Sequence, residues 1–126
     1  MAIFGAPIPD TRASQHGVDA ALAILAKVEA MSANGMIAPT TLRIGLHAGE
    51  VVTGTVGSAD RKEYTIIGDV VNLASRLEQL NKQFGSRLMV SETVIERLST
   101  RPESATPHGA IQVKGREQPV EVYELA

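Results

Sequence analysis

The sequence contains no cysteine and no tryptophan, and it has only two tyrosines and two phenylalanines among its 126 residues. Without cysteine the chain has no disulfide, no thiolate nucleophile and no cysteine-based zinc site, a composition that fits a reducing compartment. Aromatic residues make up only 3%, so few side chains are available on which nucleic-acid bases could stack.

An excess of charge of either sign is also lacking. The 12 Lys and Arg residues stand against 14 Asp and Glu, for a formal net charge of -2, which gives no electrostatic reason to bind a nucleic-acid backbone or an anionic membrane. No stretch approaches the ~20 consecutive apolar residues of a membrane span, and the opening residues lack the pattern of a signal peptide. We therefore expect a cytoplasmic protein with no nucleic-acid partner.

Helical periodicity occurs in two segments. Apolar residues recur every three or four positions over 18–31, before Asn34-Gly35, and again over 70–84, before Gly85. Asp69 stands where an N-cap would precede the second helix. With an apolar content of 44% and a charged content of 21%, the length suits one folded domain.

The remaining segments predict strands and short connections. Ser91 is predicted to cap a brief helix that runs to Leu98, and residues 100–109 are predicted to form a surface loop. The predicted strands are 2–4, 42–48, 51–56, 64–68, 87–90, 111–115 and 120–125. The third and fourth of these form a long hairpin and the last two a closing hairpin, which together predict an α+β fold with a mostly antiparallel sheet.

Two candidate sites have ordinary structural explanations. The three histidines, His16, His47 and His108, lack metal-ligand spacing, and His47 on its alternating strand is predicted to have a structural or hydrogen-bonding role. Gly49 and Gly54 have the spacing of a phosphate-binding loop, but the lysine that should follow is missing. Strand kinks or close backbone approach explain these glycines better.

Asn72 and Arg76 form a more informative pair. They are four residues apart, and thus neighbours on one face near the start of the second long helix. The N-terminal end of a helix favours an anion, and the arginine donor fork suits phosphate. A solvated polar face remains the alternative for the pair, and a simple cap rather than a metal ligand is the alternative for Asp69.

Three segments together resemble the class III nucleotidyl cyclases, the catalytic domains of adenylyl and guanylyl cyclases. They are LRIGLHAGEVV at 42–52, GTVG at 54–57 and YTIIGDVVNLASRLE at 64–78. The opening MAIFGAP and the VKGR at 113–116 also follow in family order. The resemblance covers nearly the whole chain and corresponds to the C-terminal two thirds of the family's catalytic domain.

The resemblance implies that a nucleoside triphosphate is cyclised when its ribose 3′-hydroxyl attacks the α-phosphorus and expels pyrophosphate. By family position Arg76 would stabilise the transition state, Asn72 would orient the ribose and Lys114 would contact the triphosphate. An exposed lysine at a strand end is the alternative for Lys114. Thr65 matches the position that helps read the base and favours ATP over GTP, with a β-branched strand residue as its alternative.

The resemblance also implies parts that this sequence does not contain. Family members use two divalent ions, Mg or Mn, but the two metal-binding aspartates and a base-reading lysine occupy positions absent from this chain. We therefore expect residues 1–126 to be an incomplete catalytic domain of ferredoxin-like, palm-type architecture that lacks the first β-α-β elements. Such a chain is expected to have little or no activity alone.

The assembly implied by the resemblance is a head-to-tail dimer, or a pair with another cyclase chain, whose active sites use both subunits. The predicted hairpin over 51–67 resembles the arm that grips the partner. A non-catalytic cyclase-like dimerisation or regulatory module, which lends Arg76, Asn72 and Lys114 to a complete partner, is the alternative function.

Overall fold

The computed structural model describes residues 1–6, 8–49, 52–58, 61–67, 69–113 and 118–126, and for 52–58, 61–67 and 69 it describes the backbone alone. In chain order the elements are α1 (Ala13–Ala33), β1 (Ile44–Leu46), β2 (Val52–Ser58), β3 (Arg61–Ile67), α2 (Asp69–Phe84), β4 (Leu88–Ser91), α3 (Glu92–Glu96), β5 (Thr106–Ile111) and β6 (Val120–Glu124).

Four strands form one mixed sheet in the order β1-β4-β6-β5. β1 runs parallel to β4, with Ile44 opposite Leu88, whereas β6 is antiparallel to both β4 and β5. β2 and β3 pair in a separate two-stranded antiparallel sheet. The predicted α+β class with a mostly antiparallel sheet is confirmed, as is the long hairpin.

Both long helices lie where the apolar periodicity predicts them. α1 ends at Ala33, and two residues later Gly35 has a φ of 78°. α2 ends at Phe84 and is followed by Gly85 with a φ of 66°. Glycine adopts this left-handed conformation without the steric cost that a Cβ would add, so both glycines end their helices as predicted.

The two helices cover opposite faces of β4, whose four residues are all buried. Residues Leu88 and Val90 pack with α1, whereas Met89 packs with α2, as expected from the alternation of side chains along a strand. The α1 cluster consists of Val18, Ala21, Leu25, Leu88, Val90, Val94, Ile95 and Leu125, and the α2 cluster of Leu73, Leu77, Leu80, Met89, Val113 and Val122.

Two predictions about chain segments are wrong. Residues 2–4 are in no strand: Gly5, with a φ of 88°, turns the chain, and the Phe4 ring lies beside Gly17 of α1 instead of in a sheet. Residues 106–109, predicted as loop, open strand β5. Pro107 is tolerated there because β5 is an edge strand, and the pairing register shifts between Pro107 and Gly109.

Smaller differences concern the ends of elements. β1 covers only Ile44–Leu46 of the predicted 42–48. The closing hairpin uses β5 and β6, and of the predicted first strand 111–115, Ile111 lies in β5, 112 and 113 lie in no strand, and 114 and 115 lie outside the described residues. Ser91 precedes α3 as predicted, but its side chain makes no capping hydrogen bond. A search of the described residues finds no helix with the length and hydropathy needed to cross a bilayer.

Candidate functional site

Asn72 and Arg76 both lie in the first half of α2 and both side chains are exposed. Each immediately precedes a fully buried leucine, Leu73 or Leu77. Burial of these leucines fixes the rotation of the helix, and a rise of about 1.5 Å per residue places the two polar positions about 6 Å apart along its axis. The structure therefore brings the amide and the guanidinium to one open face.

The position of α2 on the sheet depends on Gly45 at the centre of β1. A Cβ added at Gly45 would lie 2.5 Å from the carbonyl oxygen of Ala74 and 2.9 Å from the Cα of Glu78, and it would also meet the Glu78 backbone nitrogen. These are backbone atoms of α2 that no rotamer change can move. Glycine at this position lets the helix approach β1 directly.

A buried amide ties the second half of α2 to the same strand. Asn81 has no exposed surface, and its Nδ2 donates to the Ile44 carbonyl at 2.9 Å and to the Glu78 carbonyl at 3.1 Å. Its Oδ1 accepts from the Ser86 hydroxyl at 2.7 Å. A buried amide with these partners fixes the register of α2 against β1, because any slide of the helix would leave polar groups unpaired.

At the start of α2 the two ends of the hairpin segment come together. A Cβ at Gly49, after β1, would lie 2.9 Å from Val70 Cγ2, in the first turn of α2, and 3.6 Å from His47 Nε2. The chain thus leaves the core at Gly49 and returns at Val70, with β2 and β3 between these points. We call the segment from β2 to β3 the arm.

A groove of about 190 Å³ lies beside this junction. It is lined mostly by apolar side chains and backbone of residues 1–4, α1, β1 and the first turns of α2, with His47 and Arg97 among the few polar groups. Ligand pockets usually have volumes of ~300 Å³ or more. Neither Asn72 nor Arg76 lines this groove, so the candidate side chains face an open surface instead of an enclosed pocket.

The other two candidate residues are less completely described. Thr65 lies in β3 opposite Gly54 of β2, and its side chain is outside the described part of the structure. Lys114 lies outside the described residues altogether. The structure therefore brings together Asn72 and Arg76, while the functional roles of all four residues stay predictions.

The three histidines have separate partners. His47 Nδ1 lies 2.7 Å from Ser91 Oγ, which confirms a hydrogen-bonding role, and His108 Nε2 lies 2.9 Å from Glu124 Oε1. His16 Nδ1 lies 2.6 Å from Asp10 Oδ2. The pKa of Asp10 is held below its ordinary value, first by the Arg12 backbone N–H and then by the His16 hydrogen bond.

Gly45 and Asn81 were not singled out by the sequence reasoning, although both position the helix that carries the candidate pair. For Asn81 a signal exists: it is a polar residue at the helical spacing of the buried leucines, where only a satisfied amide is tolerated. Nothing in a single sequence distinguishes Gly45 from Gly49 and Gly54, which follow it along the chain.

Comparison with known proteins gives consistent matches. Adenylate cyclase 1 from Rhizobium meliloti is 37% identical over 129 residues, which cover 99% of this chain and 19% of that protein. The solved adenylyl cyclase CyaB from P. aeruginosa is 29% identical with a TM-score of 0.69, covering 98% of this chain and 64% of that chain. A bacterial light-regulated adenylyl cyclase is 25% identical with a TM-score of 0.75, over 91% and 33% of the two chains.

The chain thus spans less than two thirds of the length of these relatives. The similarity nevertheless extends along all 126 residues, and it includes the strand, arm and helix that position Asn72 and Arg76. The sequence model of the family described as Adenylate and Guanylate cyclase catalytic domain matches residues 1–126. The chain belongs to that family.

Proposed function

We propose that this chain forms part of an enzyme that converts ATP to cyclic AMP and pyrophosphate. The observation that carries the proposal is the family match over residues 1–126, combined with Asn72 and Arg76 exposed on one face of an anchored helix. ATP is favoured over GTP because relatives from Rhizobium meliloti and Anabaena cylindrica are named adenylate cyclases. The resemblance, which predicts that Thr65 takes the base-reading position, favours the same nucleotide.

In the proposed reaction the ribose O3′ forms a bond to the α-phosphorus, and the bond from that phosphorus to the pyrophosphate oxygen breaks. The hydroxyl proton is lost to solvent and pyrophosphate departs. Negative charge grows on the α-phosphoryl oxygens in the pentavalent transition state. The Arg76 guanidinium offers fixed donors to that charge, which stabilises the transition state more than the bound substrate.

The other residues act on substrate position. Asn72, one turn before Arg76, would hydrogen-bond the ribose and hold its 3′-hydroxyl in line with the bond that breaks. Lys114 would contact the triphosphate as a point charge, and Thr65 would contact the base. The anchoring of α2 by Gly45 and Asn81 supports these roles, since a catalytic side chain on a rigid helix loses little rate to misplacement.

We further propose that two chains pair head to tail, or that this chain pairs with another cyclase chain. Asn72 and Arg76 face an open surface, and an exposed guanidinium becomes a strong catalyst only where a second surface excludes water. The arm, a two-stranded sheet separate from the core sheet, is the element proposed to hold the partner.

Family members generally use divalent metal ions. Within the described ranges, no three His, Cys, Asp or Glu side chains form a group that could hold one, so these residues do not fit a metal site and the steps above use only the chain's own side chains. We propose that the ion of the complete enzyme is Mg or Mn.

We propose a cytoplasmic location, in keeping with the cysteine-free sequence. We also propose that residues 1–126 are one part of a larger catalytic domain.

The decisive experiment is Arg76→Ala in the intact-length protein, with cyclic AMP production followed at varied ATP. Because Arg76 acts chiefly in the transition state, we expect kcat to fall by about 10²–10³-fold while KM changes only a few-fold. Lys82→Ala is the matched control, since it removes an exposed cation from the last turn of the same helix.

Equal turnover in Arg76→Ala and wild type would remove Arg76 from the mechanism. The alternative function, a non-catalytic partner module, makes a different prediction. The test mixes the intact-length protein with a cyclase partner that lacks only the residues matching Arg76 and Asn72. If the intact-length protein is inactive alone but activates this partner, the result favours the alternative.

A further inference from the structure

Three polar side chains form a connected cluster between the end of β1 and the start of α3. His47 Nδ1 lies 2.7 Å from Ser91 Oγ, and Ser91 Oγ lies 2.9 Å from Thr93 Oγ1. Thr93 Oγ1 in turn donates to the Ala48 carbonyl at 3.0 Å. Ser91 is 1% exposed, so its hydroxyl has little access to water as an alternative partner.

Thr93 Oγ1 also lies 3.4 Å from His47 Nδ1. Counting hydrogens fixes the direction of the three shorter bonds in this cluster. A carbonyl oxygen cannot donate, so the single hydroxyl hydrogen of Thr93 lies on the bond to Ala48. The hydrogen between Ser91 and Thr93 must then come from Ser91. That uses the only hydroxyl hydrogen of Ser91, and the hydrogen between His47 and Ser91 must therefore be carried by His47 Nδ1.

This direction explains why Ser91 does not cap α3. Ser91 stands at the N-cap position with extended backbone, φ −81° and ψ 160°, but its side chain makes no capping hydrogen bond. Its oxygen instead receives the imidazole N–H, and its hydrogen goes to Thr93. The residue is at the position that capping favours, but its side chain is used to connect α3 to β1.

The cluster ends at the base of the arm. Ala48 directly precedes Gly49, the point at which the chain leaves the core and touches Val70 on its return. We infer that Ser91 and Thr93 hold the His47 ring protonated at Nδ1, and that this donor chain is a positioning device that fixes the Ala48 carbonyl and the direction of the arm.

The tautomer can be measured directly on 15N-labelled protein at about pH 8, above the ordinary histidine pKa of about 6.5. His47→Asn assigns the signal among the three histidines. In wild type we expect a protonated Nδ1. Thr93→Ser keeps the hydroxyl and the Nδ1 proton. In Thr93→Val the Ser91 hydroxyl loses its acceptor and donates to Nδ1 instead, so Nδ1 loses its proton.

Either of two results would overturn the assignment of the proton: a wild-type ring that is unprotonated at Nδ1, or a Thr93→Val ring that keeps the Nδ1 proton. Thr100→Val, an exposed threonine after α3, controls for the general effect of the substitution. If Thr93→Val fails to fold, the wild-type and Thr93→Ser rings still decide the assignment.

The effect on the arm rests on the proposed function and has its own readout. Self-association of the intact-length protein, measured by sedimentation, is expected to weaken by roughly 2- to 10-fold in Thr93→Val and to stay unchanged in Thr93→Ser and Thr100→Val. Wild-type-like association of Thr93→Val would refute the positioning role. A wild type that never self-associates would contradict the proposed dimer, while the tautomer measurement would still decide the first part of the inference.

Discussion

Gly45→Ala is the substitution that tests most directly how the candidate site is positioned. The added methyl group would lie 2.5 Å from the Ala74 carbonyl oxygen and 2.9 Å from the Glu78 Cα. Ordinary contacts of a carbon with these atoms are about 3.5–4.0 Å, so α2 would have to move away from β1 by about 1 Å.

The helix cannot make that movement without cost. Leu73, Leu77 and Leu80 are packed on the same side of α2 with at most 2% of their surface exposed, and Asn81 is bonded to the Ile44 carbonyl. Overpacking in a well-packed core typically costs roughly 1–3 kcal/mol, and we expect the upper part of that range because backbone atoms oppose the methyl group.

Urea unfolding followed by circular dichroism measures this cost. With an m-value of about 1–3 kcal/mol per molar urea, a cost of about 2–3 kcal/mol should lower the midpoint by about 0.7–3 M. Gly17→Ala is the matched control: its Cβ would lie 3.6 Å from Phe4 Cδ2, an ordinary contact, and alanine in a helix should stabilise by about 0.5–1 kcal/mol. A Gly45→Ala midpoint equal to that of wild type would refute the close approach of α2 to β1.

Two further predictions concern polar groups. Asn81→Ala should lower the free energy of unfolding by about 1–3 kcal/mol, because it leaves a backbone carbonyl of β1 and a serine hydroxyl without their partner. Gln79→Ala, on the exposed face of the same helix, should have little effect. Equal stability of the two variants would contradict the anchoring role. The carboxyl of Asp10 should titrate below its ordinary pKa of 3.8, so its contribution to stability is present above that pH and is lost as the pH falls through the lower folded value. Carboxyl NMR titration measures the pKa of Asp10. His16→Ala should raise this pKa only part of the way to its ordinary value, because the hydrogen bond from the Arg12 N–H remains. A wild-type pKa at or above 3.8 would contradict the hydrogen-bond geometry.

Much of the fold follows from local pattern. Both long helices and the arm were predicted because their apolar residues repeat with the period of the element and because turn residues end them. The segments that differ depend on partners elsewhere in the chain. Residues 2–4 are apolar enough for a strand, but strand formation requires a neighbouring ladder, and the part of the structure that is described places Phe4 against α1 instead.

Pro107 is an example of the reverse case, in which local sequence predicts a loop and the fold forms a strand. A stretch rich in Ser, Thr and Pro is typical of a loop, and only the position of β5 at the sheet edge makes a proline acceptable there. That position is set by β6, which lies later in the sequence. The order of strands in the sheet depends on tertiary packing, and so does the acceptance of proline in β5. Neither can be read from a short stretch of sequence.

In the candidate site, too, the geometry within one helix was predicted and the contacts between elements were not. Asn72 and Arg76 were predicted to share a helix face from their spacing alone, and the structure confirms that geometry. The contacts that hold the helix against β1 were not predicted, because Gly45 meets Ala74 and Glu78, and Asn81 bonds the Ile44 carbonyl, each pair more than 25 residues apart in sequence. Spacing reveals neighbours within one element, whereas contacts between elements require the fold.

The meeting of Gly49 and Val70 has a consequence for how this family can diversify. Because Gly49 lies beside Val70, the two ends of the segment that contains the arm lie close together where it joins the core, and a short turn could bridge them. Substitutions in the arm can therefore be accommodated without moving β1, α2 and β4. Under the proposed function the arm still has two roles, because Thr65 lies in it and would contact the base while the strands hold the partner. A substitution in the arm away from Thr65 need not disturb the helix that carries Arg76.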